Sequence, residues 1–232
     1  MKIKIAVFGF KDTLVGQVIR MMETETSYSV DYFISVKPLP DVDVEEEHKK
    51  RPNKKTEFVK NGTIFGKRIY YDVDYIEQLR KSKITKVLLL EDDKYLREEI
   101  FEKLIAENIE IITYIHPTVY LGGDNEIGRG VIIFPNCYIG YKSDIGDSTI
   151  IQSNSIIEHH SVVGRYVEIN PRLTTASFVY IKDFVEVNLS VDIINRIVIE
   201  RGARIGAGSL VMRNCEAGTL YYGRPARKVR RI

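Results

Sequence analysis

Ile139-Gly-Tyr-Lys-Ser-Asp-Ile145-Gly-Asp-Ser-Thr-Ile-Ile151-Gln-Ser-Asn-Ser-Ile-Ile157 places an aliphatic residue at every sixth position. The period extends outward both ways. Upstream it passes through Ile133, Ile127 and Leu121 to Ile115. Downstream it runs through Val163, Ile169, Thr175, Ile181, Val187, Ile193, Ile199 and Ile205 to Val211. Thr175 alone is not aliphatic, and no insertion resets the frame. Four residues after almost all of these positions stands a small or aliphatic residue, such as Ser143, Thr149, Ser155, Ser161, Val167 and Leu173. A period of six excludes an amphipathic helix, which needs 3.6, and differs from simple alternation. It fits a triangular coil of three short strands, with the large aliphatic side chain pointing inward on each face. Glycine follows the aliphatic residue at Gly128, Gly140, Gly146, Gly164 and Gly206. These glycines are expected to supply positive φ at corners. One coil cannot bury its own apolar edge, so neighbours stabilise one another. Residues 113–232 are therefore expected to form a left-handed parallel β-helix.

Residues 1–112 read differently. Lys2 to Gly9, Val30 to Val36, Lys67 to Tyr71, Lys86 to Leu90 and Ile109 to Tyr114 have strand character. Asp12 to Glu23, Val73 to Ser82 and Lys94 to Asn108 have helical spacing. Strands alternating with helices imply a small Rossmann-like parallel βαβ domain. Pro38 to Gly62, rich in charge and proline, reads as a long solvated loop, with a binding arm as the alternative. The turn after the first strand, Gly9-Phe-Lys-Asp-Thr-Leu-Val-Gly16, lies where such folds bind phosphates. It lacks the GxGxxG fingerprint, so no dinucleotide is expected. Gly9, Lys11 and Asp12 remain candidates for a nucleotide-linked substrate. A capped helix beside a solvated lysine explains them equally well.

Composition narrows the classes further. The chain has 232 residues, 44% hydrophobic, with a net charge of +2. That charge gives no general argument for nucleic acid or membrane partners. No apolar run suits a transmembrane helix, and the start resembles a core strand, not a signal peptide. Cys137 and Cys215 match no metal motif and read as reduced, buried thiols of a cytoplasmic protein. The residues from Arg224 to Ile232 include five basic ones and no acidic one.

A small βαβ domain followed by hexapeptide coils resembles the bacterial nucleotide-sugar N-acetyltransferases, the PglD/NeuD-like group. The resemblance spans nearly the whole chain and is strongest from Ile111 to Ile232. Ile156-Ile-Glu-His-His-Ser-Val-Val-Gly164 is similar to the family's catalytic stretch. Gly218-Thr-Leu-Tyr-Tyr-Gly-Arg-Pro-Ala-Arg-Lys-Val229 is similar to its closing signature. The resemblance implies acetyl-CoA as co-substrate, a nucleotide-activated amino sugar as acceptor, no metal, and a homotrimer. His159 would be the general base, since imidazole can take the amine's proton near neutral pH. Family members place an acid after that histidine, whereas His160 stands here and carries a candidate catalytic role of its own. Glu158 is expected on the opposite face. Ser177, one coil later, stands where the family usually has a glycine offering a backbone N–H to the oxyanion. Gly206, Ala207 and Gly208 would admit the pantetheine arm, and Arg224, Arg227 and Lys228 its phosphates.

The chain departs from the family pattern at Glu168, Ser177, Lys182 and Asn188, and at Glu91-Asp92-Asp93. Transfer is expected by direct attack, as no serine or cysteine stands out in the sequence as an activated nucleophile. Two rivals remain: acyl transfer to a sugar hydroxyl or from another donor, and a non-catalytic trimeric scaffold.

Overall fold

The computed structural model describes residues 2–10, 14–39 and 59–232. The chain divides into two compact units after Ile112. The first holds β1 (Ile3–Phe8), α1 (Leu14–Glu25), β2 (Tyr28–Ser35), β3 (Thr63–Ile64), β4 (Lys67–Tyr71), α2 (Tyr75–Ser82), β5 (Lys86–Leu89), α3 (Lys94–Ala106) and β6 (Glu110–Ile111). Its sheet runs β3-β4-β2-β1-β5-β6. All neighbours are parallel except β3 and β4.

Local chemistry sets these elements. Ile5, Ala6, Val7 and Phe8 of β1 are all buried, as in a strand covered on both faces. α1 buries Val15, Val18, Ile19 and Met22, one stripe at helical spacing. α2 starts at Asp74, whose carboxylate accepts from the N–H groups of Ile76 and Glu77. Asp93 starts α3 in the same way, through Tyr95 and Leu96. One sequence expectation needs correction. Ile109 to Tyr114 is not one strand. Ile112 donates to Val87 in the first sheet, whereas Tyr114 donates to Val131 and belongs to the coils. Thr63–Ile64, just past the expected loop, forms a hairpin with β4 through Phe65 and Gly66, both at positive φ. Residues 40–58 of the expected loop lie outside the described residues.

The second unit is the left-handed parallel β-helix. Strands of two residues stack into three sheets, each strand pairing with the one a coil away. Tyr138 lies opposite Ile156, and Ile156 opposite Thr174. The second side chain of each pair points inward. Ile139, Ile145, Ile151, Ile157, Val163, Ile169 and Ile181 are thus buried in one continuous core. Buried Ser143 and Thr149 satisfy their hydroxyls on the coil backbone. Ser143 donates to the Glu158 carbonyl and Thr149 to that of Gly164. Thr219–Tyr222 and Arg227–Arg231 close one sheet as an antiparallel pair.

The glycines do not do what the sequence suggested. Positive φ falls instead on non-glycine corner residues, among them Asn136, Lys142, Ser148, Asn154, His160 and Phe178. Gly128, Gly140, Gly146 and Gly164 are needed for close approach. A Cβ on each would lie within 2.4–2.6 Å of an atom in the next coil. Cys137 and Cys215 are free and buried, and burial pushes the Cys215 thiol up to about 12.

Candidate active site

His159 follows the strand Ile156–Ile157 at a corner of the coils. Gly140 sets its position, because any Cβ there would meet the His159 backbone nitrogen at 2.5 Å. The Glu158 carboxylate accepts from the His159 N–H at 3.3 Å, so it engages the backbone and not the ring. The ring is held at both nitrogens. Its Nδ1 lies 2.9 Å from Nδ1 of His160, and its Nε2 lies 2.8 Å from Oγ of Ser177.

Aromatic packing fixes the pair. His160 stacks on Phe178 at 5.0 Å between centroids, and Tyr141 meets His160 edge-on at 5.9 Å. His159 meets Phe178 edge-on at 5.6 Å. His160 reaches this place because its backbone is left-handed, with φ at 57°. That conformation, shared by the other corners, turns its side chain back beside His159 and not to the opposite face.

Two Nδ1 atoms at this distance share one hydrogen, so one ring donates and the other accepts. With the hydrogen on His159 Nδ1, its Nε2 lone pair faces the Ser177 hydroxyl. His160 is then the acceptor that orients the ring, in the place an acid would take. Unlike a carboxylate, it adds no negative charge to stabilise an imidazolium.

The other residues singled out in the sequence lie apart from this cluster. Gly206 to Gly208 belong to a different corner, following the strand Arg204–Ile205. The space above Gly206 is taken by the ring of Tyr222, which a Cβ would meet at 2.2 Å. Gly208 has φ at 69° and open space around it. Ala207 between them is partly buried. Arg224 donates to Asp192 at 2.9 Å and to the Gly208 carbonyl at 3.3 Å. Lys228 binds Glu216 at 2.6 Å and holds that carboxyl below its usual range. Arg227 is exposed on the last strand, opposite Tyr222. In the first unit, Gly9 ends β1 at φ 94°, and a Cβ there would lie 2.5 Å from the Leu90 carbonyl. Packing against β5 therefore accounts for this glycine. Lys11 and Asp12 lie outside the described residues. Near the same end of the sheet, burial and a hydrogen bond with Asp92 push the Glu91 carboxyl up.

Sequence reasoning missed Tyr141, Phe178 and the side chain of Ser177. The signal was present: Tyr141, His159 and Ser177 are one coil apart in turn, as are His160 and Phe178. Among the described residues, no cluster of three or more His, Cys, Asp or Glu is arranged to hold a metal. No described helix is long and apolar enough to cross a membrane.

Comparison with solved structures adds context. GDP-perosamine N-acetyltransferase from Caulobacter crescentus, in complex with CoA and GDP-perosamine, superimposes with a TM-score of 0.81 at 18% identity. The match covers 97% of this chain and 96% of that one. The acetyltransferase domain of PglB from Neisseria gonorrhoeae, in complex with acetyl coenzyme A, matches with a TM-score of 0.75 at 15% identity, over 99% of this chain and 100% of that one. This chain has the fold of these acetyltransferases. WeeI from Acinetobacter baumannii also matches, at 15% identity, over 99% of this chain and 100% of its own, with a TM-score of 0.52. No protein-family model matches the sequence, and no curated protein matches it either. At these identities the likeness speaks for the fold, and the site's chemistry must be argued from its own residues.

Proposed function

We propose that this protein is an acetyl-CoA-dependent N-acetyltransferase acting on a nucleotide-linked amino sugar, with His159 as general base. The observation that carries this reading is the His159 ring, half-buried at a coil corner and held at both nitrogens. An oriented neutral imidazole can take the proton that an amine sheds as it attacks a thioester carbonyl. The shared fold supports the substrate class. One structure of the Caulobacter enzyme with CoA and GDP-perosamine carries a histidine-to-alanine replacement, and another a histidine-to-asparagine replacement. Such replacements are in keeping with a histidine at the centre of that chemistry.

In this reading the first unit binds the nucleotide-linked acceptor, with Gly9, Lys11 and Asp12 at the turn after β1. Gly206, Ala207, Gly208, Arg224, Arg227 and Lys228 serve the coenzyme. The assembly is a homotrimer in the cytoplasm. Exposed apolar side chains on the coil faces, Tyr120, Ile156, Val162 and Tyr180, suit burial between copies.

A second reading has specific support. Arg224 and Lys228 already pair with Asp192 and Glu216, and Tyr222 covers Gly206. A scaffold that no longer binds coenzyme A would look like this. Thermal unfolding with and without acetyl-CoA separates the two. Ligand at about 100 times its Kd stabilises the native state by about 2.7 kcal/mol, a visible rise in unfolding temperature. No rise at millimolar acetyl-CoA would favour the scaffold.

A further inference from the structure

The hydroxyl of Ser177 stands on the one nitrogen of His159 that can receive a proton. Its Oγ lies 2.8 Å from Nε2, while Nδ1 of the same ring is engaged by His160 at 2.9 Å. A neutral imidazole has a single lone pair in the ring plane, and a hydroxyl donating to Nε2 fills it. The ring is held in this pose. Phe178 packs against both imidazoles, and Gly140 clamps the His159 backbone. Ser177 is only partly buried, so substrate can reach it. Its backbone N–H makes no hydrogen bond among the described residues. A thioester oxygen received by that N–H brings the carbonyl carbon, and the amine attacking it, beside Oγ. A hydroxyl both donates and accepts, so Oγ can give its proton to Nε2 while taking one from the amine.

We propose that Ser177 is a further catalytic residue, which relays the amine's proton to His159. The proposal rests on the acetyltransferase reading and keeps its chemistry. The amine attacks the thioester directly, and no bond forms between the acetyl group and the protein. As the amine nitrogen bonds to the carbonyl carbon, one of its protons moves to Ser177 Oγ, and the Oγ proton moves to His159 Nε2. The carbonyl electron pair moves onto oxygen. When that pair returns, the carbon–sulfur bond breaks. A proton then passes back along the same path, from Nε2 to Oγ and from Oγ to sulfur. Thioester and amine become amide and thiol, with Ser177 and His159 unchanged. A glycine at this position would leave Nε2 open to the amine itself, so the relay belongs to the serine.

The test follows thiol release from acetyl-CoA by the full chain, with GDP-perosamine and UDP-glucosamine as acceptors. Ser177→Ala should lower kcat about 10²-fold with little change in KM, because the relay is lost and the methyl holds the amine off Nε2. Ser177→Gly should recover part of that loss, since the amine can then reach Nε2. Circular dichroism shows that each variant is folded. Rates in mixtures of light and heavy water separate a relay from a structural serine. Two protons in flight give a curved dependence on deuterium content in the wild type, and one gives a straight line in Ser177→Gly. Wild-type turnover in Ser177→Ala, or a straight line in the wild type, would overturn the relay and leave the acetyltransferase standing. Nitrogen NMR of the histidine rings checks the starting state with no acceptor present. His159 should carry its hydrogen on Nδ1, and Ser177→Ala should move the Nε2 resonance; a hydrogen on Nε2 would overturn the relay. A wild type that neither gains thermal stability from acetyl-CoA nor releases thiol would overturn the acetyltransferase reading and the relay with it.

Discussion

Replacing Gly140 by alanine tests the claim that close coil packing places His159. The new methyl would meet three backbone atoms of the next coil: the His159 nitrogen at 2.5 Å, the Glu158 carbonyl carbon at 2.8 Å and the His159 Cα at 2.9 Å. Backbone cannot swing aside as a side chain would. The gap must open to about 3.4 Å before contact becomes ordinary. Such an opening stretches the bond from Gly140 N–H to the Ile157 carbonyl, now 2.7 Å, past hydrogen-bonding range. A lost ladder bond costs about 1 kcal/mol, and forcing a methyl into closed packing about 1–3 kcal/mol. The expected loss is therefore about 2–4 kcal/mol, a fall in unfolding temperature of roughly 5–15 °C. Thermal unfolding followed by circular dichroism measures it. Gly208→Ala is the control, since that site is open and only its positive φ is strained, at about 1 kcal/mol. Gly208→Asn should be nearly neutral, because Asn136 and Asn154 adopt the same conformation at the same corner. A Gly140→Ala protein that unfolds at the wild-type temperature, with wild-type activity, would refute this account of the packing.

Three further outcomes follow from the site. His159→Ala should cut turnover by about 10²–10⁴-fold while leaving the unfolding temperature near wild type; near-normal turnover would remove His159 from the mechanism. His160→Ala should lower kcat with little change in KM. His160→Asn, whose carbonyl oxygen can accept the same hydrogen bond, should recover part of it; equal loss in both would show that His160 does not act by orienting the ring. Glu91→Gln should stabilise the protein at neutral pH. Burial holds the Glu91 carboxyl above its ordinary range in the fold, so stability falls as pH rises from the unfolded value through the folded one. Gln carries no such penalty and can still accept the Asp93 N–H. Unfolding temperatures measured against pH should converge below about pH 4 and separate above it; curves that stay parallel would contradict the assignment.

Much of this molecule was legible before any coordinates. The aliphatic period from Ile115 to Val211 dictates a β-helix because inward side chains must recur once per edge, whatever surrounds them. Helical apolar spacing is a local signal, so the first unit's helices were legible to within a few residues. His159 was singled out by the resemblance of Ile156 to Gly164 to a family's catalytic stretch, which needs only the local sequence.

The rest depended on contacts between coils, where residues far apart in sequence become neighbours. Local reasoning assigned the glycines to positive φ, but the stacked backbone demands them for approach, and the left-handed corners fall on other residues. The same left-handed corner turns His160 toward His159, although adjacent residues of a strand face opposite ways. Ser177 meets Nε2 for a similar reason, since one full coil brings it directly beside the ring. The tail's ion pairs, Arg224 with Asp192 and Lys228 with Glu216, join residues 32 and 12 apart and were not legible in the sequence. A repeat fixes which way each side chain points, because that depends on the local backbone. Which side chains meet depends on how coil stacks on coil, and that is set only when the whole core closes.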